Sequence, residues 1–191
     1  MLEKLIVAVS AHTGAGKNVF IDVAKNLGYF CFDMGDVVRV IEPANRGIPK
    51  ERMTKELESQ LRTELRQKHG PAAIAMVASE YIKKQPARVI FVSDVVSEAE
   101  VNYFQAQFGK KFCIVAVLAD YEVRVRRVTS RADRPRDRSY VDERDKWAQE
   151  VGLPQVLENA DYAIENNCDS LAEFHGRARG LITKIFREKA A

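Results

Sequence analysis

The stretch SAHTGAGKNVF, Ser10 to Phe20, decides the fold class. It follows the apolar run KLIVAV (Lys4–Val9) and opens an amphipathic stretch carrying Phe20, Val23, Ala24 and Leu27. A strand, a glycine-bearing loop and a helix in that order make a phosphate cradle, because successive backbone N–H groups and the helix N-terminus converge on one anion. Ala11, His12, Thr13, Gly14, Ala15, Gly16 and Lys17 form the loop. Gly14 and Gly16 supply unusual backbone angles, and Lys17 supplies charge for the terminal phosphates. The usual pattern begins with glycine and closes on Gly-Lys followed by Ser or Thr, whose hydroxyl holds magnesium. Here Ala11 stands first and Asn18 last. An amide oxygen is a weaker magnesium ligand, so Mg2+ is expected to be held through water or less tightly. The competing reading, a glycine-rich turn with an incidental lysine, does not account for the strand before it and the helix after it.

Working outward, four more apolar runs follow: YFCFDM (Tyr29–Met34), RVIFVS (Arg88–Ser93), FCIVAVL (Phe112–Leu118) and ADYAIEN (Ala160–Asn166). Runs rich in β-branched and aromatic residues without polar alternation read as strands buried on both faces. Five of them separated by helical patterns predict an α/β three-layer fold around a parallel sheet. Between the second and third runs, residues 37–85 read as a helical insert broken at PANRGIP and HGPA. Met53, Leu57, Leu61 and Leu65 recur at four-residue spacing, one apolar stripe on a charged helix that His69-Gly70-Pro71 ends.

The chain has 191 residues, enough for one domain with a sizeable core. Its 30 Lys and Arg against 27 Asp and Glu leave a formal net charge of +3, so anion binding must rest on local basic clusters. The arginine-rich stretch from Arg124 to Trp147 is one, with a predicted loop over 132–138 between two helices. Asp133, Asp137, Asp142, Glu143 and Asp145 dilute its field, and Tyr140 and Trp147 form no stacking series, which argues against nucleic acid as a partner. Cys31, Cys113 and Cys168 are odd in number and widely separated, as expected of reduced thiols in a cytoplasmic protein. The first run starts at Lys4 and no run approaches the roughly 18 apolar residues of a membrane span, so neither a signal peptide nor membrane insertion is expected. His69 and His175 have no partners at metal-ligand spacing. Trp147, the single tryptophan, reads as helix packing.

Phosphoryl transfer needs an acid near the phosphates. Asp94 ends the third run, at the carboxyl edge where open α/β sheets bind ligands, though a helix cap or a turn would equally place an aspartate there. Asp33 and Asp36 flank Gly35 after the second run with the same alternatives, and Arg39 lies one turn further.

Several segments together resemble a known group: MGDVVR (Met34–Arg39), LRQKHGPAAIA (Leu65–Ala75), SDVVSEAEVNYFQ (Ser93–Gln105), ERDKWAQEVGL (Glu143–Leu153) and NADYAIENN (Asn159–Asn167). In order and over nearly the whole chain, they are similar to archaeal P-loop proteins described as adenylate-kinase-related or dephospho-coenzyme A kinase-like. The resemblance implies a nucleoside monophosphate kinase fold with a helical substrate-binding insert at 37–85 and an arginine-bearing lid at 127–140. It implies substrate contacts at Asp36, Arg39 and Arg66 and lid cations at Arg131, Arg134 and Arg136, with Arg127 facing phosphate and Asn166 beside the nucleotide base. Two motifs depart from the group. Asp-Gly-Ile/Val-Arg-Ser after the third strand is here Asp94-Val95-Val96-Ser97, and the lid's Arg-x-Arg-x-Asp-Asp is replaced by Arg134-Pro135-Arg136-Asp137.

Two functions follow as expectations. One is a kinase moving the γ-phosphoryl of ATP or GTP to a small phosphorylated acceptor such as a nucleoside monophosphate. Lys17, Asp94, Arg131, Arg134 and Arg136 would be its catalytic groups, and Asn18 and Asp94 would lie on Mg2+. The other is a non-catalytic nucleotide sensor acting through a protein partner, favoured by Asn18 and by the missing strand-end arginine.

Overall fold

The structure is a computed structural model that describes residues 3–132, 136–168 and 170–189. Its five strands are β1 (Leu5–Ala11), β2 (Phe30–Asp33), β3 (Val89–Ser93), β4 (Phe112–Leu118) and β5 (Tyr162–Glu165), all five of the predicted runs. They pair in parallel in the order β2-β3-β1-β4-β5. Central β1 shows why the runs lack alternation. Ile6 and Ala8 point into one apolar cluster while Leu5, Val7 and Val9 point into another. Helices α1 (Lys17–Asn26) and α9 (Leu171–Lys189) cover the second cluster through Phe20, Ala24, Phe174 and Ile182. The first is covered by α3 (Lys55–His69), α4 (Ala73–Lys84), α5 (Glu98–Phe108) and α8 (Leu153–Glu158). Helix, sheet and helix make the three layers.

The insert is less continuous than its sequence suggests. A π-helical turn, Val37–Ile41, runs into the short α2 (Glu42–Asn45). PANRGIP was expected to break the helix throughout, yet Pro43 sits inside α2, at its first turn, where a missing N–H costs nothing. A 3-10 turn at Lys50–Arg52 and an extended Met53 follow, so the apolar stripe enters α3 only from Leu57. Thr54 caps α3 by accepting from Leu57 N–H at 3.2 Å, and Gly70 at φ +81° stops it. Leu61 and Leu65 are buried, as the spacing predicts.

The arginine-rich stretch folds as α6 (Tyr121–Thr129) and α7 (Arg138–Val151), with Asp137 capping α7 at Tyr140 N–H. Arg134 lies outside the described residues. No helix among the described residues is long and apolar enough to cross a membrane.

Candidate functional site

The loop after β1 is shaped by what packs against it. Gly14 has φ +86°, and a Cβ there would lie 2.8 Å from the carbonyl oxygen of Arg124 on α6. Gly16 caps α1 at φ +106°, and a Cβ there would collide with the side-chain amide of Asn166. Only glycine satisfies both limits, conformation and space. Asn166 is buried just beyond β5. Its N–H donates to Leu118 O at 2.7 Å and its Nδ2 to Ala15 O at 2.7 Å, so it pins the loop from beneath. The first-turn N–H groups of α1 have no partner within the helix and face the same cleft as Gly14, Gly16, Lys17 and Asn18.

Above the loop, Arg124 is almost fully buried and binds Asp145 of α7 through two N–H bonds of 2.8 and 2.6 Å. It also donates to Thr13 O at 3.3 Å. Asp145 in turn contacts His12 Nδ1 at 3.1 Å. Burial lowers the His12 pKa, with Arg124 adding to the effect and Asp145 opposing it. One half-buried charge pair thus fastens His12 and Thr13 to both helices that flank the predicted lid.

Asp94 occupies the carboxyl end of β3, where its carboxylate pairs with the Lys17 ammonium. It is the one non-glycine among the described residues at positive φ, +67°. It is not the cap of α5, since Ser97 takes that place by accepting from Glu100 N–H at 3.4 Å. Non-glycine residues in this conformation cluster where the surroundings impose it, often at functional sites.

The cleft, about 1400 Å³, lies along the carboxyl edge of the sheet. Ala11, His12, Thr13, Gly14, Gly16, Lys17, Asn18, Asp94, Arg127, Arg131, Arg136 and Asn166 all line it, as do Arg39 and Arg66 from the insert. Ala15 instead lines a smaller cavity of about 210 Å³ beside β4 and β5. Asp36 is not among the lining residues; its carboxylate accepts from Arg39 Nε at 3.2 Å and Nη2 at 2.9 Å. Asp33, three residues earlier, lines the cleft and also holds Arg39, at 3.0 Å. Arg127 Nη2 donates to Asn166 Oδ1 at 3.2 Å and Cys168 O at 3.3 Å, while its Nη1 is buried with no hydrogen-bond partner among the described residues.

Reasoning from sequence missed several members. Lys55, Arg62, Arg126 and Arg144 add to the cationic lining, and Glu100 adds a carboxyl. Burial lowers the Arg62 pKa, with neighbouring Arg66 adding to it. Glu100 is 2% exposed, and burial raises its pKa against the pull of Val96 N–H and Arg66. The pair Arg124 and Asp145, 21 residues apart, carries no local sequence signal. Glu100 does: Ser97-Glu98-Ala99-Glu100 reads as a capping box.

As a donor set for magnesium, Asn18 and Asp94 offer two oxygens at the cleft, beside Lys17. Among the described residues no cluster of three or more His, Cys, Asp or Glu could hold a metal alone. That donor set fits Mg2+, which binds through one or two protein oxygens together with substrate phosphates and water.

A parallel sheet in this order, with a glycine loop after its central strand and a cationic cleft at its carboxyl edge, defines the P-loop kinase fold. Solved structures share it. TT1252 from Thermus thermophilus matches with TM-score 0.67 at 17% identity, over 95% of this chain and 97% of that one. A gluconokinase from Sinorhizobium meliloti 1021 matches at 0.60 and 16%, over 98% and 95%. A dephospho-CoA kinase from Campylobacter jejuni matches at 0.55 and 18%, over 95% and 97%. No protein-family model matches the chain. Among curated proteins, the UPF0200 protein of Thermococcus onnurineus is 32% identical over 96% of this chain and all of its own length. That of Thermoplasma volcanium is 34% identical over 97% and 100%. A UPF0200/UPF0201 protein of Archaeoglobus fulgidus is 33% identical over 97% of this chain, which spans 57% of that protein's length. The chain belongs to the UPF0200 family.

Proposed function

We propose that this protein is a phosphotransferase of the nucleotide-kinase type, moving the γ-phosphoryl of ATP or GTP to a small phosphorylated acceptor such as a nucleoside monophosphate. The observation that carries the reading is the lining of the cleft. Cations reach it from three separate elements: Lys17 from the loop, Arg127, Arg131 and Arg136 from the lid region, and Arg39, Arg62 and Arg66 from the insert. One anionic ligand on the loop does not need the insert's arginines. Two phosphate-bearing ligands meeting end to end need all three groups.

Phosphoryl transfer demands positioning and charge neutralisation more than covalent help from the protein. The amides of Gly14, Gly16, Lys17 and Asn18, at the N-terminus of α1, cradle the donor phosphates, while Ala15 N–H closes the loop on His12 O. Lys17 turns from Asp94 to the phosphates, and the carboxylate it releases would then be free to hold Mg2+ together with Asn18. Arg131, Arg136 and, outside the described residues, Arg134 close over the transferring group. Arg39 and Arg66 orient the acceptor, with Asp36 acting through Arg39. In this reading Arg127 faces the phosphates and Asn166 lies beside the donor's base. Magnesium held by Asp94 and Asn18 would neutralise charge on the phosphates. The three free cysteines suit work in the reducing cytoplasm.

Asn18 supports a second reading, a nucleotide sensor that binds without turnover and signals through a protein partner. Phosphorus NMR of ATP with Mg2+ and a panel of nucleoside and sugar monophosphates separates the two. The kinase reading expects a new phosphorylated product with wild type and none with Lys17→Ala. ATP bound yet unchanged across the panel would support the sensor.

A further inference from the structure

The turn after β3 is held by two buried polar side chains that no step above uses. Ser10, fully buried at the end of β1, donates its hydroxyl to Val95 O at 2.6 Å. Glu100, 2% exposed on α5, accepts Val96 N–H at 3.0 Å. Both bonds fall on the single peptide unit that joins Val95 to Val96, and the residue just before it is Asp94 at φ +67°, its carboxylate on Lys17. A side chain in that conformation persists only where neighbouring bonds over-determine it. The capping box of α5 explains the bond between Ser97 Oγ and Glu100 N–H. It does not require Glu100 to reach Val96, or to lie buried 3.9 Å from Arg66.

We propose that Ser10 and Glu100 are positioning residues, whose bonds to Val95 O and Val96 N–H hold the turn that aims Asp94 at Lys17 and so set how well the site takes a magnesium nucleotide. This rests on the nucleotide-site reading above. Ser10 makes its bond from the strand that leads into the phosphate loop, so the loop and the turn share one foundation. Glu100 makes its bond from the helix behind the turn and faces the insert through Arg66. Ser10 does not line the cleft, and Glu100 reaches it with a carboxylate committed to Val96 N–H, so their effect passes through Asp94.

The test is calorimetric titration of ATP with and without Mg2+ into wild type, Asp94→Asn, Glu100→Ala, Glu100→Gln, Ser10→Ala and Ser97→Ala, with a thermal melt of each. The quantity read is the ratio of the affinity with magnesium to the affinity without it. Wild type is expected to show a ratio above one that Asp94→Asn removes. Glu100→Ala and Ser10→Ala are expected to lower the ratio about tenfold, the scale of one released backbone strain, while magnesium-free affinity holds. Glu100→Gln keeps an oxygen for Val96 N–H and should retain the ratio. Ser97→Ala removes the α5 cap and the hydroxyl beside the Glu100 carboxylate but leaves the bond to Val96 N–H, so its melt should fall with the ratio intact. Glu100→Ala and Ser10→Ala with the wild-type ratio would overturn the proposal, as would equal losses with and without magnesium. If Glu100→Ala does not fold, Ser10→Ala decides alone. An unchanged ratio in Asp94→Asn would overturn this inference and leave the nucleotide site standing. Wild type that binds no ATP would overturn both.

Discussion

The loop after β1 and the turn after β3 face each other across Lys17 and Asp94, and both depend on positive φ, yet they reach it by opposite means. In the loop the demand is met by omission: Gly14 and Gly16 lack the Cβ that Arg124 O and Asn166 would not admit. In the turn the demand is met by force. Asp94 keeps its side chain, and buried partners on Val95 and Val96 hold the backbone where it lies. The first arrangement is cheap and rigid. The second keeps a carboxylate at the cost of strain, which is reasonable only where the carboxylate has work to do.

Substitutions that exchange these two means test the contrast. The largest effect is expected from Gly16→Ala, which adds a Cβ at φ +106° against Asn166 and breaks that residue's bond to Ala15 O. Strain and a lost buried bond together should cost about 3 kcal/mol, read in a urea melt. Arg124→Met comes next. It removes a nearly buried guanidinium from Asp145 and Thr13 O while keeping its packing, and should cost about 2 kcal/mol. It should also weaken nucleotide binding, because the loop loses its tie to α6 and α7. Asp94→Gly is expected to move the other way, raising stability by up to about 1 kcal/mol as the positive φ becomes free. Its magnesium-dependent affinity should vanish, which separates the strain from its use.

The smallest effect concerns pH. Burial holds the His12 pKa below 6.5, so the unfolded chain binds more protons at this site than the folded one. His12 therefore lowers stability as pH falls from 6.5, and its contribution is neutral above that value. His12→Gln should flatten the acid side of the stability profile without changing the neutral plateau. A profile identical to wild type below pH 6.5 would remove His12 from the set of buried groups that govern the loop.

The same contrast explains what the sequence made legible. The strands β1, β3 and β4 could be read because both faces of each are covered, which leaves continuous apolar runs such as FCIVAVL, while the edge strand β5 exposes Ala163 and Glu165 and buries only Ile164. Gly14, Gly16 and Lys17 could be read because omission leaves a mark in the sequence itself. Asp94 was legible as a strand-end acid, but its conformation was not, since the peptide after it is held from Ser10, far away in sequence, and from Glu100, whose capping-box position does not announce a bond to Val96. Arg124 and Asp145 were hidden in a charged stretch whose other described charged members face solvent or the cleft, and only tertiary packing distinguishes them. Around Gly35 the sequence did not show which aspartate meets the cleft: Asp33 lines it, while the carboxylate of Asp36 is bound to Arg39.

The most direct measurement is calorimetric titration of ATP, with Mg2+, into the wild-type protein and Lys17→Ala. If the loop after β1 is a working phosphate cradle, wild type should bind in the micromolar range. The variant should then lose about ten- to a hundredfold, the scale of one charge-assisted hydrogen-bonding cation. Equal binding by the two proteins, or no binding by wild type, would contradict the assignment of the cleft to nucleotide.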